Sequence, residues 1–291
     1  MTALRAKYIR DLAIRGRAER TQRAYTRYVA ELARYHRRSP ELISYEEVTD
    51  WLYHLIKERH LSASSVNVAV NAVRFLYGIT LGRDTEKLTA SVPHMKHAIR
   101  RSEIYARSEL EAILSAPGQR RDRAFLMTGY ACGLRLSEGR QLQTGDIDRA
   151  RMQLRVRHGK GGRQRVLPLS ERLLKELEAY WRAQRQGQPG QDSPWLFLGQ
   201  QTNQALGTST AQKIYYRAVR KSGVRYKGGI HTLRHSYATH LIESGVELTL
   251  VQRLMGHSSL LTTALYLHVT ACRLGEVRSP LDLIATSHLG R

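Results

Sequence analysis

HTLRHSYATHLIESG, residues 231–245, reads as a helix closed by Gly245, with one charge out of place. At about 100° per residue its apolar positions gather on one arc. Leu233, Tyr237, Ala238, Leu241 and Ile242 form that arc, with Arg234 near its middle and His231 at its N-terminal edge. His235, His240 and Glu243 take the opposite, polar arc. A guanidinium stays charged at any ordinary pH, so placing one in a stripe meant for burial requires a counter-charge. The fold and the function both turn on what supplies it.

Composition narrows the choice. The chain has 291 residues, 42% of them hydrophobic, enough for two domains with their own cores. Lys and Arg total 47 against 25 acidic residues, a net of +22 and a sequence pI near 10.5. Such a surplus repels itself in the folded state and calls for a polyanionic partner. It is not confined to a tail: residues 1–100 carry +8 and the remainder +14. Charge alone does not choose between DNA and RNA. No stretch is long and apolar enough to span a membrane, and no secretory apolar core follows Met1. Cys132 and Cys272 make neither a disulfide framework nor a metal spacing, which fits a reducing, cytoplasmic setting.

The first hundred residues read as helices. Tyr25, Tyr28, Val29, Leu32 and Tyr35 recur at helical spacing, and Val48, Trp51, Leu52, Leu55 and Ile56 follow a Ser44 cap. SSVNVAVNAVRFLYG, residues 64–78, is rich in β-branched residues, but Val66, Val70, Val73 and Tyr77 keep the helical period. Residues 91–103 hold a proline and mostly positive charge and read as a linker. SELE, 108–111, reads as a capping box that opens the next helix. Further on, Met152, Leu154 and Val156 alternate, glycines 159, 161 and 162 turn the chain, and Val166, Leu167 and Leu169 return. That is a hairpin with Lys160 at its tip. A capped helix over 170–186, a surface loop, a short strand at WLFLG (195–199) and a helix over 208–223 complete the pass.

Other charged or nucleophilic groups sit as oddly as Arg234. Arg135 lies between Leu134 and Leu136, just after a glycine, with Glu138 near enough to pair with it. Lys160 rides a glycine turn, His257 follows Gly256 in a break between helical stretches, and Tyr266 comes nine residues later. Singly, each has an ordinary reading as an ion pair, a solvated lysine, a cap or a surface tyrosine. Together they form a pattern.

HTLRHSYATHLIESGVELTLVQRLMGHSSLLTTALYLHV, 231–269, resembles the C-terminal signature of the tyrosine recombinases, the phage-integrase and Xer-type enzymes. GYACGLRLSE resembles that family's first arginine motif, and HGKGGRQRVLPL its lysine hairpin. The resemblance implies a mainly α fold with a small antiparallel β-sheet: an all-helical core-binding domain over 1–95, a linker over 96–104, and a mixed α+β catalytic domain over 105–291 with a tail from about 270. It implies a catalytic set of Arg135, Lys160, His231, Arg234 and His257 with Tyr266 as nucleophile, and Glu138 in support. One departure is Gly139, where the family commonly has leucine; a glycine weakens a helix and is expected to loosen the site.

The residue types suit phosphodiester chemistry in their own right. Two arginine forks hold the non-bridging oxygens whose charge grows during attack. A tyrosine, with a free pKa of about 10, needs cationic surroundings to act near neutrality. By resemblance the product is a 3′-phosphotyrosine, with Lys160 protonating the leaving 5′-oxygen. No cofactor or metal is called for: His231 and His235 stand at zinc-site spacing, but Thr232 replaces the needed glutamate and Arg234 repels a cation. His240 and His268 read as surface or structural residues. The expected partners are double-stranded DNA recombination sites and other copies of the chain, as a tetramer on DNA whose tail, with Leu281, Leu283 and Ile284, docks in trans. A DNA-binding protein of this fold without catalysis, and a relaxing topoisomerase, are the alternatives. On this reading a scissile phosphate supplies the counter-charge missing around Arg234.

Overall fold

In the N-terminal part, small polar residues start the helices and apolar stripes bury them. The computed structural model describes residues 2–96, 103–157, 164–257, 259 and 263–264. Thr2 caps α1 (Ala3–Ile14), and α2 (Glu19–His36) buries Tyr28 and Leu32. Tyr35, in phase with that stripe, is instead exposed and lies 4.7 Å from the His54 ring. Ser44 caps α3 (Tyr45–Lys57) in a reciprocal box with Glu47. Ser62 caps α4 (Ala63–Arg74), which runs into a π-helical turn at Phe75–Thr80. Val66, Val70, Val73 and Tyr77 are all buried there, so burial outweighs the weak helix propensity of the valines. Asp84 caps α5 (Thr85–Ser91).

This part belongs to a compact unit, Met1–Arg100, distinct from a second, Arg101–Arg291. The basic stretch from residue 91 is not open linker at its start. Val92 is fully buried, Arg74 Nε donates to its carbonyl, and Asn67 pairs with the backbone of Met95 on both sides. At the far end Glu103 pairs with Arg225, and the Tyr105 N–H donates to Ser236 Oγ at 3.0 Å.

The second unit starts with α6 (Arg107–Ser115). Its cap is Ala106, whose N–H donates to Glu109 Oε2 at 2.7 Å, so Ser108 lies inside the helix rather than at its cap. Lys227 Nζ holds the same oxygen at 2.6 Å, fixing the glutamate one turn in. Next come α7 (Arg120–Ala131) and the short α8 (Leu136–Arg140). A three-stranded antiparallel sheet follows: β1 (Ile147–Asp148), β2 (Gln153–Val156) and β3 (Arg165–Pro168). Leu154 faces Leu167 and Val156 faces Arg165 across the ladder, while Val166 points to solvent. The remaining helices are α9 (Glu171–Gln184), α10 (Thr208–Ser222), α11 (His231–Glu243) and α12 (Leu248–Met255). The fold is mainly helical with this one small antiparallel sheet.

WLFLG forms only isolated bridges, Gln143 to Trp195 and Leu198 to Ala205, rather than a strand. The carbonyls of Trp195 and Leu196 accept from Arg185 Nη1, so a side chain occupies acceptors that a neighbouring strand would need. α11 sits deepest. Leu233 joins the main core of α7, the sheet, α9 and α10, whereas Tyr237, Ala238 and Ile242 pack with Val251 and Met255 of α12. With apolar neighbours on two sides, more than its apolar arc is buried: Thr232, Ser236, Thr239 and His240 are buried, His235 is half-buried and Glu243 is exposed. His240 is therefore not a surface residue; its Nδ1 lies 2.9 Å from the Tyr130 hydroxyl. No helix among the described residues is long and apolar enough to cross a membrane.

Candidate active site

A glycine makes the first half of the site. Gly133 ends α7 with φ +54°, a conformation that side chains resist, and Leu134 N–H reaches back to the Gly129 carbonyl. A Cβ on Gly133 would lie 2.3 Å from the Tyr237 ring, so only glycine lets α11 come this close. The turn leaves the Gly133 carbonyl facing Arg234, whose Nη1 donates to it at 2.7 Å. Arg135 then opens α8. Its N–H and its Nη1 donate to the two oxygens of Glu138, at 2.9 and 2.7 Å, a capping arrangement that ties the arginine to its own helix.

Glu138 is the hub. Its side chain is wholly buried and three guanidiniums surround it. Arg135 supplies one, Arg165 grips both oxygens at 3.0 and 2.8 Å, and Arg234 Nη1 stands 3.7 Å from Oε2. Burial alone would raise the Glu138 carboxyl. The bonds and charge of Arg165, then the bonds from Arg135, reverse that and hold it at about 2. One anion among three cations leaves a local surplus of positive charge.

The C-terminal end of α12 offsets part of it. Three successive carbonyls there each accept from a different arginine: Leu254 from Arg165 Nε at 2.8 Å, Met255 from Arg234 Nη2, and Gly256 from Arg135 Nη2 at 3.0 Å. These are the acceptors that a helix leaves unpaired at its C-terminus, where its dipole is negative. Gly256, at φ +61°, turns the chain out of α12 and delivers His257 next to the cluster. Arg234 thus has counter-charges within the protein, which corrects the expectation of a guanidinium waiting for its only partner.

His257 Nδ1 lies 2.9 Å from the hydroxyl of Thr263, a fully buried residue, which fixes the orientation of the ring. Burial, followed by the charges of Arg234, Arg135, His235 and Arg165, depresses its pKa to about 4. His231, at the exposed start of α11, is lowered by desolvation and then by Arg234 and Arg135, with Glu138 pulling the other way. Both imidazoles are therefore neutral near pH 7 and able to donate from one nitrogen.

Of the residues expected from sequence, Arg135, Glu138, Arg234 and His257 come together directly, and His231 feels the same charges. Lys160, Tyr266, Cys272 and the tail lie outside the described residues. Gly139 is buried and helical, and its N–H bonds the Arg135 carbonyl at 2.9 Å. Arg165 was missed. Its signal was present, since alternation puts residue 165 on the same strand face as the buried Leu167 and Leu169. Treating Val166 as one of the returning core residues concealed that phase.

Comparison with known proteins places the chain in a family. The signature of the Phage integrase family matches residues 102–273, and that of its N-terminal SAM-like domain matches residues 4–87. A putative integrase/recombinase, y4qK of Sinorhizobium fredii, is 33% identical over 284 residues, covering 98% of this chain and 90% of the relative. The tyrosine recombinase XerA of Pyrococcus horikoshii is 31% identical, covering 94% of this chain and 92% of its own. Among solved structures, a lambda integrase dimer bound to a COC' core site superposes with a TM-score of 0.72 at 21% identity, covering 91% of this chain and 94% of that one. XerH bound to a palindromic difH substrate gives 0.66 at 22%, covering 90% and 78%. At such identities the structures speak for the fold; the family matches and the closer relatives make this chain a member of the phage integrase family, the tyrosine recombinases.

Proposed function

We propose that the chain is a site-specific DNA recombinase that cuts and rejoins duplexes through a covalent 3′-phosphotyrosine at Tyr266. Family membership supports recombination in general. The observation that carries the chemical reading is the cluster around Glu138, where three guanidiniums share one carboxylate. A phosphodiester entering beside Arg135 and Arg234 brings negative charge to that surplus. As Tyr266 Oη attacks phosphorus, its proton passes to the neutral imidazole of His231, and charge grows on the non-bridging oxygens that the two arginines hold. The bond to the 5′-oxygen breaks, and Lys160 supplies the proton that this oxygen takes. Neutral His257 donates a hydrogen bond to the phosphate, and His231 returns the proton to Tyr266 on rejoining. Rejoining is the same path reversed, with a 5′-hydroxyl attacking the phosphotyrosine.

DNA is the partner, and solved neighbours of the same fold are DNA-bound recombinases. α10 adds an exposed basic face, with Lys213, Arg217 and Arg220 beside the exposed Tyr216 along a groove of about 490 Å3. Exchange between two duplexes needs four cleavages, hence a tetramer on DNA, with the tail docking in trans. Deleting residues 278–291 is expected to impair tetramer assembly more than binding to a single site; unchanged tetramers count against trans docking.

The test is a duplex nicked next to the crossover, which traps the cleaved state. Wild type is expected to accumulate covalent adduct and Tyr266→Phe none. Binding with no adduct from wild type under any condition supports the alternative of a DNA-binding protein without catalysis.

A further inference from the structure

We propose that Arg165 is a positioning residue of this site: it docks the C-terminal turn of α12, and with it His257, onto the carboxylate that orients Arg135. This role rests on the recombinase reading and adds a residue to it.

The geometry separates Arg165 from an ordinary ion-pairing arginine. Among the described residues most arginines that pair with a carboxylate are themselves exposed, such as Arg172 with Glu111. Arg165 is one-tenth exposed and meets a carboxylate with no exposure at all. It makes the fork-to-fork contact for which only a guanidinium is shaped, Nη1 to Oε1 and Nη2 to Oε2, while Nε reaches the Leu254 carbonyl. It also lies flat against the α12 turn: a Cβ on Gly256 would meet Arg165 Nη1 at 3.2 Å and Cδ at 3.3 Å. One side chain therefore joins β3, α8 and the segment that leads into His257. β3 pairs with β2, and Lys160, the general acid of the proposed reaction, lies between them in the sequence.

The arrangement divides labour among the three guanidiniums. Arg135 and Arg234 serve the phosphate in the proposed reaction. All three nitrogens of Arg165 are bound to protein, so it holds the frame on which the other two stand. Without it, Glu138 remains buried with less compensation, its carboxyl rises, and once protonated it no longer holds both the N–H and the Nη1 of Arg135. The groups facing Glu138 are Arg135 at the start of its own helix, Arg165 from β3, and Arg234 and His231 from α11. His257 feels Arg234, Arg135, His235 and Arg165, and Cys132 lies near Arg165.

Arg165→Gln and Arg165→Lys test this on the full-length protein. Binding of the nicked duplex, the single-turnover rate of adduct formation from about pH 6 to 8.5, and histidine-labelled NMR are read together with melting temperature. For Arg165→Gln, binding is expected to stay within roughly threefold of wild type while the adduct rate drops about tenfold or more at the acid end. The deficit narrows as pH rises, because ionisation restores Glu138. The His257 resonance, expected to titrate at about 4 in wild type, should move up when the nearby charge is removed. Arg165→Lys keeps a charge but not the fork, so its rate drops while its pH profile stays nearer wild type. It also provides the reading if Arg165→Gln does not fold. A rate equal to wild type, or a loss parallel at every pH with His257 unmoved, overturns the proposal. Absence of adduct from wild type itself overturns the recombinase reading instead, and the NMR arm still decides the role of Arg165.

Discussion

Two buried arginines in the second unit are put to opposite uses. Arg185, 1% exposed, follows α9 and donates to the carbonyls of Trp195, Leu196, Gly190, Gln191 and Ser193. It closes one loop through its two terminal nitrogens, which take neutral carbonyls of that loop, while its buried Nε has no hydrogen-bond partner and no carboxylate pairs with it among the described residues. Arg234, 5% exposed, also donates to carbonyls, but those belong to two different turns, after α7 and at the end of α12. It stands beside a carboxylate already shared by Arg135 and Arg165. Burying a guanidinium with carbonyls builds a loop. Gathering three around one anion builds a site with charge to spare.

Alanine at each position should split accordingly. Arg234→Ala is expected to lower the adduct rate on the order of 10²–10³-fold, with DNA binding largely kept. Arg185→Ala should instead cost about 3 kcal/mol of stability, through orphaned carbonyls and lost packing, and leave the rate per folded molecule unchanged. Chemical denaturation and single-turnover assays on both variants would break the comparison if the two effects came out alike.

pH sharpens it further, because a titrating histidine, His257, stands beside the cluster. The folded pKa of about 4 lies below the ordinary value of about 6.5. The stability tied to neutral His257 is therefore complete above about pH 6.5 and is lost as pH falls towards about 4, since the unfolded chain takes up the proton first. Glu138 acts lower, between the ordinary carboxylate range and about 2. His257→Gln should show a shallower loss of denaturation midpoint than wild type between about pH 6.5 and 4.5. Equal slopes would remove His257 from the cluster's electrostatics.

The smallest effect is at Gly139. A Cβ there would meet Phe125 and Leu134 at 3.6–4.0 Å, ordinary contact distances, in a helical backbone. Gly139→Ala is expected to gain about 0.5–1 kcal/mol with the adduct rate unchanged. A loss of rate would show that this glycine serves the cluster after all.

Much of this was legible in the sequence because periodicity and burial agree. The stripe Val48, Trp51, Leu52 and Leu55 is buried as read, and so are the β-branched Val66, Val70 and Val73 of α4 and Tyr77 in the turn after it. The hairpin and the inward Arg234 were readable for the same reason. What was not legible depends on contacts distant in sequence. His240 lies on a polar arc, yet α11 is covered on two sides, which no wheel reveals. Arg185 keeps WLFLG from pairing as a strand, and Arg165 reaches Glu138 across 27 positions. The carbonyls of α12 that meet Arg135, Arg165 and Arg234 are backbone atoms, which a reading of side chains passes over.

The central claim is that Arg135 and Arg234 form a clamp for the scissile phosphate. The most direct measurement is a crystal structure of Tyr266→Phe bound to an uncut recombination site. The account predicts the phosphate's non-bridging oxygens within hydrogen-bond reach of both guanidiniums, with Arg165 still forked on Glu138. A phosphate seated elsewhere, with Arg234 still turned to the carbonyls of Gly133 and Met255, would contradict it.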